Sequence, residues 1–290
     1  MRGILLAGGT GSRLWPLTVA STKQLLPIYD KPMIYYPLTT LMLAGIRNFL
    51  IITAESEVPR FEALLGDGNQ WGITIGYAVQ AQPDGIAKAF IIGEKFIDGD
   101  NCALILGDNI FYGAGLGEFV QQVAGGNSGA TVFCHWVNNP SRYGVLDFNE
   151  EGLPTRIEEK PKQPRSNWAI TGLYFYDASI VDVARKLKPS ARGELEITDA
   201  NRVYLEGGRL SVQKLGRGFA WFDAGTHHSL LQASEFIYTI EERQGLKIGC
   251  PEEIAYRMGF IDAPTLERLV GPIADSDYGA YLRRILHSPS

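Results

Sequence analysis

The opening Met-Arg-Gly-Ile-Leu-Leu-Ala-Gly-Gly-Thr-Gly-Ser-Arg-Leu-Trp constrains this chain more than any other stretch. Ile4 to Ala7 is a short apolar run with no room for a helical turn before the glycines. It reads as a fully buried strand, the first of a parallel sheet. Gly8, Gly9 and Gly11 let the backbone fold back sharply and leave its amides bare, which at the carboxyl end of a buried strand suits an anion. Arg13 closes the loop with a planar cation matched to phosphate oxygens. Two standard phosphate loops do not fit. The dinucleotide fingerprint accommodates Gly9 and Gly11, but Leu14 stands where its third glycine belongs, so a nicotinamide oxidoreductase is disfavoured. The P-loop needs glycine, lysine and a hydroxyl residue where Ser12-Arg13-Leu14 stands. Taken alone, the stretch reads equally well as a tight turn.

Apolar runs and breakers then alternate. Pro37 to Gly45 reads as a helix, with proline near its start and glycine at its end. Phe49 to Thr53 is a second strand, Phe61 to Leu65 a short helix and Ile73 to Val79 a third strand. Pro83-Asp84-Gly85 turns the chain into a helix running to about Phe96. Cys102 to Leu106 is a continuous apolar strand, broken by Gly107-Asp108-Asn109. Strands alternating with helices imply a parallel sheet with right-handed crossovers. The carboxyl ends of such strands lie along one edge, where ligands bind. Gly8 to Arg13, Gln80 to Gly85 and Asp108 each follow a different strand, so they should converge on one crevice. There the Gln80 amide, donor and acceptor together, suits a base edge, although on its own it reads as loop chemistry, and Asp108 suits a cation. Lys23, close in sequence to Arg13, is placed to be a second cation for the same anion, though on composition alone it reads as a solvated lysine.

From Ala130 the pattern changes to alternating β segments at Thr131 to Val137, Gly144 to Phe148, Arg156 to Glu158 and Ala169 to Tyr176, separated by turns. These are expected to form a second region laid against the first sheet. Within it, Glu158-Glu159-Lys160 reads on its own as a solvated patch. Helices are expected at Ile180 to Leu187 and Ile197 to Leu205, with Arg192-Gly193-Glu194-Leu195-Glu196 between them. A strand at Leu210 to Leu215 leads to Gly218 through Gly225, where Asp223 has a setting like that of Asp108. Beyond Thr226 helices are expected at Ser229 to Glu242, Glu252 to Met258, Pro264 to Val270 and Tyr278 to Leu286. His227-His228 looks metal-like, but neighbours on a helix point different ways.

Bulk properties narrow the class. A chain of 290 residues holds one large domain or two modest ones. A net charge of −5 without a basic stripe argues against nucleic acid as partner. Cys102, Cys134 and Cys250 are odd in number and scattered, so neither a disulfide framework nor a zinc site is indicated. With no charged leader ahead of a long apolar stretch and no run of membrane-spanning length, a cytoplasmic protein without membrane contact is expected.

Several runs together carry a resemblance. Leu6-Ala-Gly-Gly-Thr-Gly-Ser-Arg-Leu14, Lys23-Gln-Leu-Leu-Pro-Ile-Tyr-Asp-Lys-Pro-Met-Ile-Tyr-Tyr-Pro-Leu38, Leu106-Gly-Asp-Asn109, Ile157-Glu-Glu-Lys-Pro161 and Gly193-Glu-Leu-Glu-Ile-Thr-Asp199 are similar to those of the sugar-nucleotide pyrophosphorylases. The likeness runs from Met1 to about Leu286. Pro83-Asp84-Gly85, Ala169 to Tyr176 and Arg217 to Gly225 narrow it to the branch that uses deoxythymidine triphosphate (dTTP). Ala224 departs from the threonine common in the family, and Asn139 and Ser141 replace acidic residues before Tyr143.

The resemblance implies an α/β fold: a mostly parallel Rossmann-like sheet with helices on both faces, a β-rich sugar-binding insertion and a helical C-terminal region. Residues 1–226 would form the catalytic core, with the nucleotide part about 1–129 and the sugar-phosphate part about 130–226. Residues 227–290 would serve oligomerisation and regulation. The implied reaction joins dTTP and glucose 1-phosphate into dTDP-glucose and pyrophosphate, with Mg²⁺ as cofactor, at the head of dTDP-rhamnose synthesis. Gly8, Gly9, Thr10, Gly11, Ser12, Arg13, Lys23, Gln24, Gln80, Pro83, Gly85 and Asp108 would bind the nucleotide. Asn109, Tyr143, Gly144, Glu159, Lys160, Ile170, Gly172 and Arg192 would bind the sugar phosphate. Asp108 and Asp223 would hold the metal, and Arg13, Lys23, Asp108, Lys160 and Asp223 would carry the chemistry. A homotetramer is implied, with feedback inhibition at a second site of Arg217, Lys247, Cys250 and Arg257. The rival readings are a relative using UTP, CTP or ATP, and a catalytically silent regulatory subunit of the same fold.

Overall fold

The computed structural model describes residues 1–9 and 11–287, so the expected contact Thr10 lies outside the described residues. Strand β1 (Arg2–Leu6) runs between β4 (Asn48–Thr53) and β6 (Cys102–Leu106), and β5 (Thr74–Val79) extends this parallel set beyond β4. Leu5 is in register with Ile51 on one side and Ile105 on the other, and all three are completely buried. Strands covered on both faces need no polar alternation, which is why these runs are continuously apolar.

Helices supply the two covers. On one face α1 (Tyr35–Leu43), α2 (Val58–Leu65) and α5 (Leu116–Gly126) share a single apolar core with the C-terminal α9 (Pro251–Arg257), α10 (Ala263–Val270) and α11 (Asp277–His287). The other face is covered by α3 (Lys88–Ile92), α4 (Glu94–Ile97), α6 (Ile180–Lys186) and α7 (Ile197–Glu206). The single helix expected after Gly85 is thus two short ones meeting at Gly93, which packs against the sheet. A Cβ there would lie 3.0 Å from the Ala89 carbonyl and 3.2 Å from Ile4.

The β-rich region does not lie against the first sheet as expected; it continues it. Strand β11 (Trp168–Tyr176) pairs antiparallel with β6 through Leu173–Tyr176. It also pairs with β8 (Ala130–Trp136) and, at its start, with β9 (Gly144–Phe148), which β10 (Pro154–Glu159) borders. Strand β12 (Leu210–Leu215) joins β8 in parallel, closing a nine-stranded sheet. Every residue of β11 from Ala169 to Tyr176 is buried. Such a strand has to sit inside a sheet, and the open edge of β6 receives it.

Two small ribbons complete the fold. Strand β7 (Asn109–Gly113), not anticipated after the break at Gly107, pairs antiparallel with β13 (Phe219–Asp223). The hairpin of β2 (Pro27–Ile28) and β3 (Lys31–Pro32) packs under α8 (His227–Gln244) through Ile28, Met33, Ala233 and Ile237. Thr226 and Ser229 form a capping box at the start of α8.

Candidate active site

The carboxyl ends of β1, β5 and β6 open into a cavity of about 520 Å³, where the topology places a ligand. Gly8, Gly9 and Arg13 line it after β1, Gln80, Pro83 and Gly85 after β5, and Asp108 after β6. Gly9 has φ 99, a conformation a side chain would oppose. Gln24, almost fully buried, also lines the cavity; its amide donates to the Gly8 carbonyl at 3.2 Å and accepts from the Thr22 hydroxyl at 2.7 Å, bracing the loop. Gly11 and Ser12, two expected nucleotide contacts, stand outside the cavity wall. The Gly11 carbonyl instead accepts from Thr18 Oγ1 at 3.0 Å and from the Leu14 N–H at 2.8 Å, which carries the loop away from the opening.

The β7–β13 ribbon brings Asp108 and Asp223 together. Asp223 sits opposite Asn109 in register, and the Ala224 N–H donates to the Asp108 carbonyl at 3.0 Å. Asp108 is paired with Lys23 and accepts from Asn109 Nδ2 at 3.0 Å. Burial would raise its carboxyl, but the Lys23 charge, aided by these hydrogen bonds, outweighs it and holds the group below the usual range. Asp223 moves the other way. Burial pushes it up, the negative charge of Asp108 adds to this, and Lys23, Arg13 and Arg142 compensate only in part. Arg142 Nη2 is 3.7 Å from Asp223, and a Cβ on Gly225 would lie 3.0 Å from Asp223 Oδ1 and 3.1 Å from Arg13 Nη2.

A buried and a half-buried carboxylate that repel each other make a place for a cation. Hard oxygen donors suit Mg²⁺. Among the described residues no third His, Cys, Asp or Glu joins them, which leaves such an ion two carboxylates. That matches how Mg²⁺ sits on one or two carboxylates plus phosphate oxygens.

The opposite end of the cavity belongs to the β-rich region. Glu159 Oε2 accepts from Thr198 Oγ1 at 2.5 Å, while Oε1 meets Lys160 Nζ at 3.2 Å and Arg192 Nη2 at 3.4 Å. Arg192 is steadied by Glu196 at 2.8 and 2.9 Å. Lys160 has φ 43, an uncommon conformation for a residue with a side chain, and its N–H donates to the Tyr143 carbonyl at 3.0 Å. Glu158 points away and pairs with Arg156, so the solvated reading holds for it, whereas Glu159 and Lys160 line the cavity. Tyr143, Gly144, Ile170 and Gly172 line it as well.

Gly172 marks a break in the β11–β8 register, and a Cβ there would meet Asn109 at 2.6 Å. Asn109 Oδ1 accepts from the Gly172 N–H at 2.9 Å and from Trp221 Nε1 at 2.6 Å. With its oxygen so engaged, the amide must turn Nδ2 towards Asp108. Trp221, Arg142, Glu196 and Thr198 line the cavity without having been singled out from the sequence. Trp221 had a usable signal: two residues before Asp223 on a strand, it shares that residue's face.

The four expected regulatory residues are not gathered in this cavity. Arg217 is exposed between β12 and β13. Lys247 pairs with Asp30 and, at 3.3 Å, with Glu241, and it borders a second cavity of about 260 Å³. Cys250 is fully buried and accepts from the Tyr278 hydroxyl at 3.0 Å. Arg257 pairs with Glu253 at 2.7 Å.

Residues 2–240 match the nucleotidyl transferase family. The chain belongs to this family. As a nucleotidyl transferase it is 58% identical over 286 residues to the glucose-1-phosphate thymidylyltransferase of Neisseria meningitidis serogroup A, with 99% of each chain covered. It is 55% identical to the Mycobacterium tuberculosis protein of the same name, again with 99% of each chain covered. The expected kinship with the sugar-nucleotide pyrophosphorylases is thus borne out, and this nucleotidyl transferase is an enzyme of that class. A Bacillus anthracis protein solved in complex with sucrose is 42% identical with a TM-score of 0.75, covering 81% of this chain and 94% of that one. A UDP-glucose pyrophosphorylase solved with UDP-glucose is 26% identical with a TM-score of 0.71, covering 82% of this chain and 98% of that one. Among the described residues no helix is long and apolar enough to cross a membrane.

Proposed function

We propose that this nucleotidyl transferase makes dTDP-glucose and pyrophosphate from dTTP and α-D-glucose 1-phosphate. The carrying observation is the meeting of Asp108 and Asp223 in one cavity, with Arg13 and the glycine amides at one end and Glu159, Lys160 and Arg192 at the other. The names of the relatives support the same substrates. Residues 1–226 form the catalytic unit, with nucleotide held mainly by residues 1–129 and sugar phosphate by residues 130–226.

An oxygen of the sugar phosphate attacks the nucleotide α-phosphorus in line. The sugar phosphate is already anionic, so no general base is needed, and the protein's task is alignment and charge neutralisation. Arg13 and the Gly8 and Gly9 amides receive the leaving pyrophosphate, and Lys23 turns from Asp108 towards the nucleotide phosphates. Lys160 and Arg192 hold the sugar phosphate. Glu159, Asn109 and the backbone around Gly144 and Gly172 take the sugar hydroxyls. Gln80 and Gly85 read the base. Asp108 and Asp223 would hold Mg²⁺, which when bound supplies Lewis-acid polarisation of phosphate oxygens.

A panel of dTTP, UTP, CTP and ATP with glucose 1-phosphate, scored by pyrophosphate release, tests the reading. The highest kcat/KM is expected for dTTP, with activity lost on chelation and restored by Mg²⁺. A higher value for another triphosphate would transfer the assignment to that nucleotide. Turnover with none of them would favour a silent regulatory subunit.

The same reading makes the protein a cytoplasmic homotetramer that starts dTDP-rhamnose synthesis and is inhibited by that product through Arg217, Lys247, Cys250 and Arg257. Inhibition that is purely competitive with dTTP and survives Lys247→Ala would refute the second site.

A further inference from the structure

The Gln80 side chain is held in one orientation by its neighbours. Its Nε2 donates to Asp84 Oδ1 at 2.7 Å and to the Gly85 carbonyl at 3.2 Å. A carboxylate and a carbonyl can only accept, so the amide must direct its NH₂ at them. Oε1 is then the atom left for a ligand. It lies 3.4 Å from where a Cβ on Gly8 would stand, beside the glycine loop. Among the described residues nothing donates to Oε1, and the Gly85 N–H has no acceptor.

The turn itself is fixed independently of the Asp84 side chain. Leu195 N–H donates to the Asp84 carbonyl at 2.8 Å, and Ala87 N–H donates to the Leu195 carbonyl at 3.1 Å. Gly85 has φ 112, and a Cβ on it would fall 2.3 Å from the Leu195 carbonyl. Asp84 Oδ2 is 3.6 Å from Lys88 Nζ, which turns the carboxylate's other oxygen away from Gln80.

We propose that Asp84 is a specificity-determining positioning residue: by locking the Gln80 amide it makes the site demand a base with an imide edge. Such an edge offers an N–H to Oε1 and a carbonyl to the Gly85 N–H. Cytosine inverts both, with a lone pair at N3 facing Oε1 and an amino group facing the N–H, so it is rejected unless Gln80 turns over. Turning over would aim Oε1 at the Asp84 carboxylate, acceptor against acceptor, and that repulsion keeps the edge code in place. The inference rests on the reading of the cavity as a dTTP site and names what enforces it.

Steady-state kcat/KM for dTTP, dUTP and dCTP with glucose 1-phosphate, measured on the native enzyme, Asp84→Ala and Asp84→Asn, tests it. Asp84→Ala should lower the dTTP-to-dCTP preference about tenfold, equivalent to one net hydrogen bond, through KM with kcat largely kept. Asp84→Asn, whose side-chain oxygen still accepts, should keep the native preference. In every variant dUTP should follow dTTP, because the two share the imide edge. An unchanged preference in Asp84→Ala, or an equal loss in Asp84→Asn, overturns the proposal. Asp84→Val, close in shape and without an acceptor, carries the same expectation if the alanine variant does not fold. A native enzyme that does not prefer dTTP over dCTP would instead overturn the dTTP reading itself.

Discussion

Lys23, Asp108 and Asp223 in the cavity, and Asp30, Lys31, Glu241 and Lys247 around the hairpin and α8, are both groups of paired acids and lysines, yet their charges are balanced differently. In the second group each acid meets both lysines: Lys31 contacts Asp30 and, at 2.9 Å, Glu241, while Lys247 contacts Asp30 and, at 3.3 Å, Glu241. Burial would raise the Asp30 carboxyl, but Lys31 and Lys247 outweigh it and hold it below its ordinary range. In the cavity Lys23 pairs with Asp108, and Asp223 is left with partial compensation and a raised carboxyl. A closed set of charges ties the β2–β3 hairpin to α8. An open set holds a deficit that a cation and phosphates can fill.

Mutations should separate the two groups. The largest effect is expected for Asp108→Asn, with turnover down by about 10³ or more and only partly recovered by excess Mg²⁺. Pyrophosphate release by the folded variant is the measurement, and near-native turnover would remove Asp108 from the mechanism. Arg13→Ala should follow, losing roughly 10²–10³ in turnover with unchanged circular dichroism.

In the closed group Lys31→Met should leave turnover per folded molecule intact but cost about 3 kcal/mol in urea unfolding, because the buried Glu241 and its neighbour Asp30 lose a partner while Lys247 remains. Unaltered stability would show that the group is not closed in solution. The smallest effect, about 1 kcal/mol at neutral pH, is expected for Lys247→Ala. Its pH dependence has a definite sign. An acid held low in the folded state stabilises the fold above its ordinary range, and this is lost as pH falls through the folded value. Removing Lys247 raises that value, so acid unfolding followed by circular dichroism should begin at higher pH.

Much of the catalytic half could be read from residues alone. Buried parallel strands are continuous apolar runs, and the rule that their carboxyl ends share an edge places Gly8, Gln80 and Asp108 on one crevice from the sequence alone. Other features were not legible. Gly11 and Ser12 belong to the loop's motif, but the turn carries them out of the wall. Glu159 looked no different from Glu158, since only β10's place in the sheet decides which of two adjacent acids faces inward. The pairing of Lys31 with Glu241 spans 210 residues and has no local pattern at all.

The sequence by itself determined the buried parallel strands, the bare glycine loop and the kinds of side chain available for phosphate and metal chemistry. Those follow from local sterics and from apolar periodicity, which act over a few residues. Only the tertiary structure decided that the β-rich region would extend the sheet, that Asp223 would lie beside Asp108, and which carboxylate would be neutralised. Charge interactions fall with distance and strengthen with burial, and distance and burial between remote residues are set by packing of the whole chain.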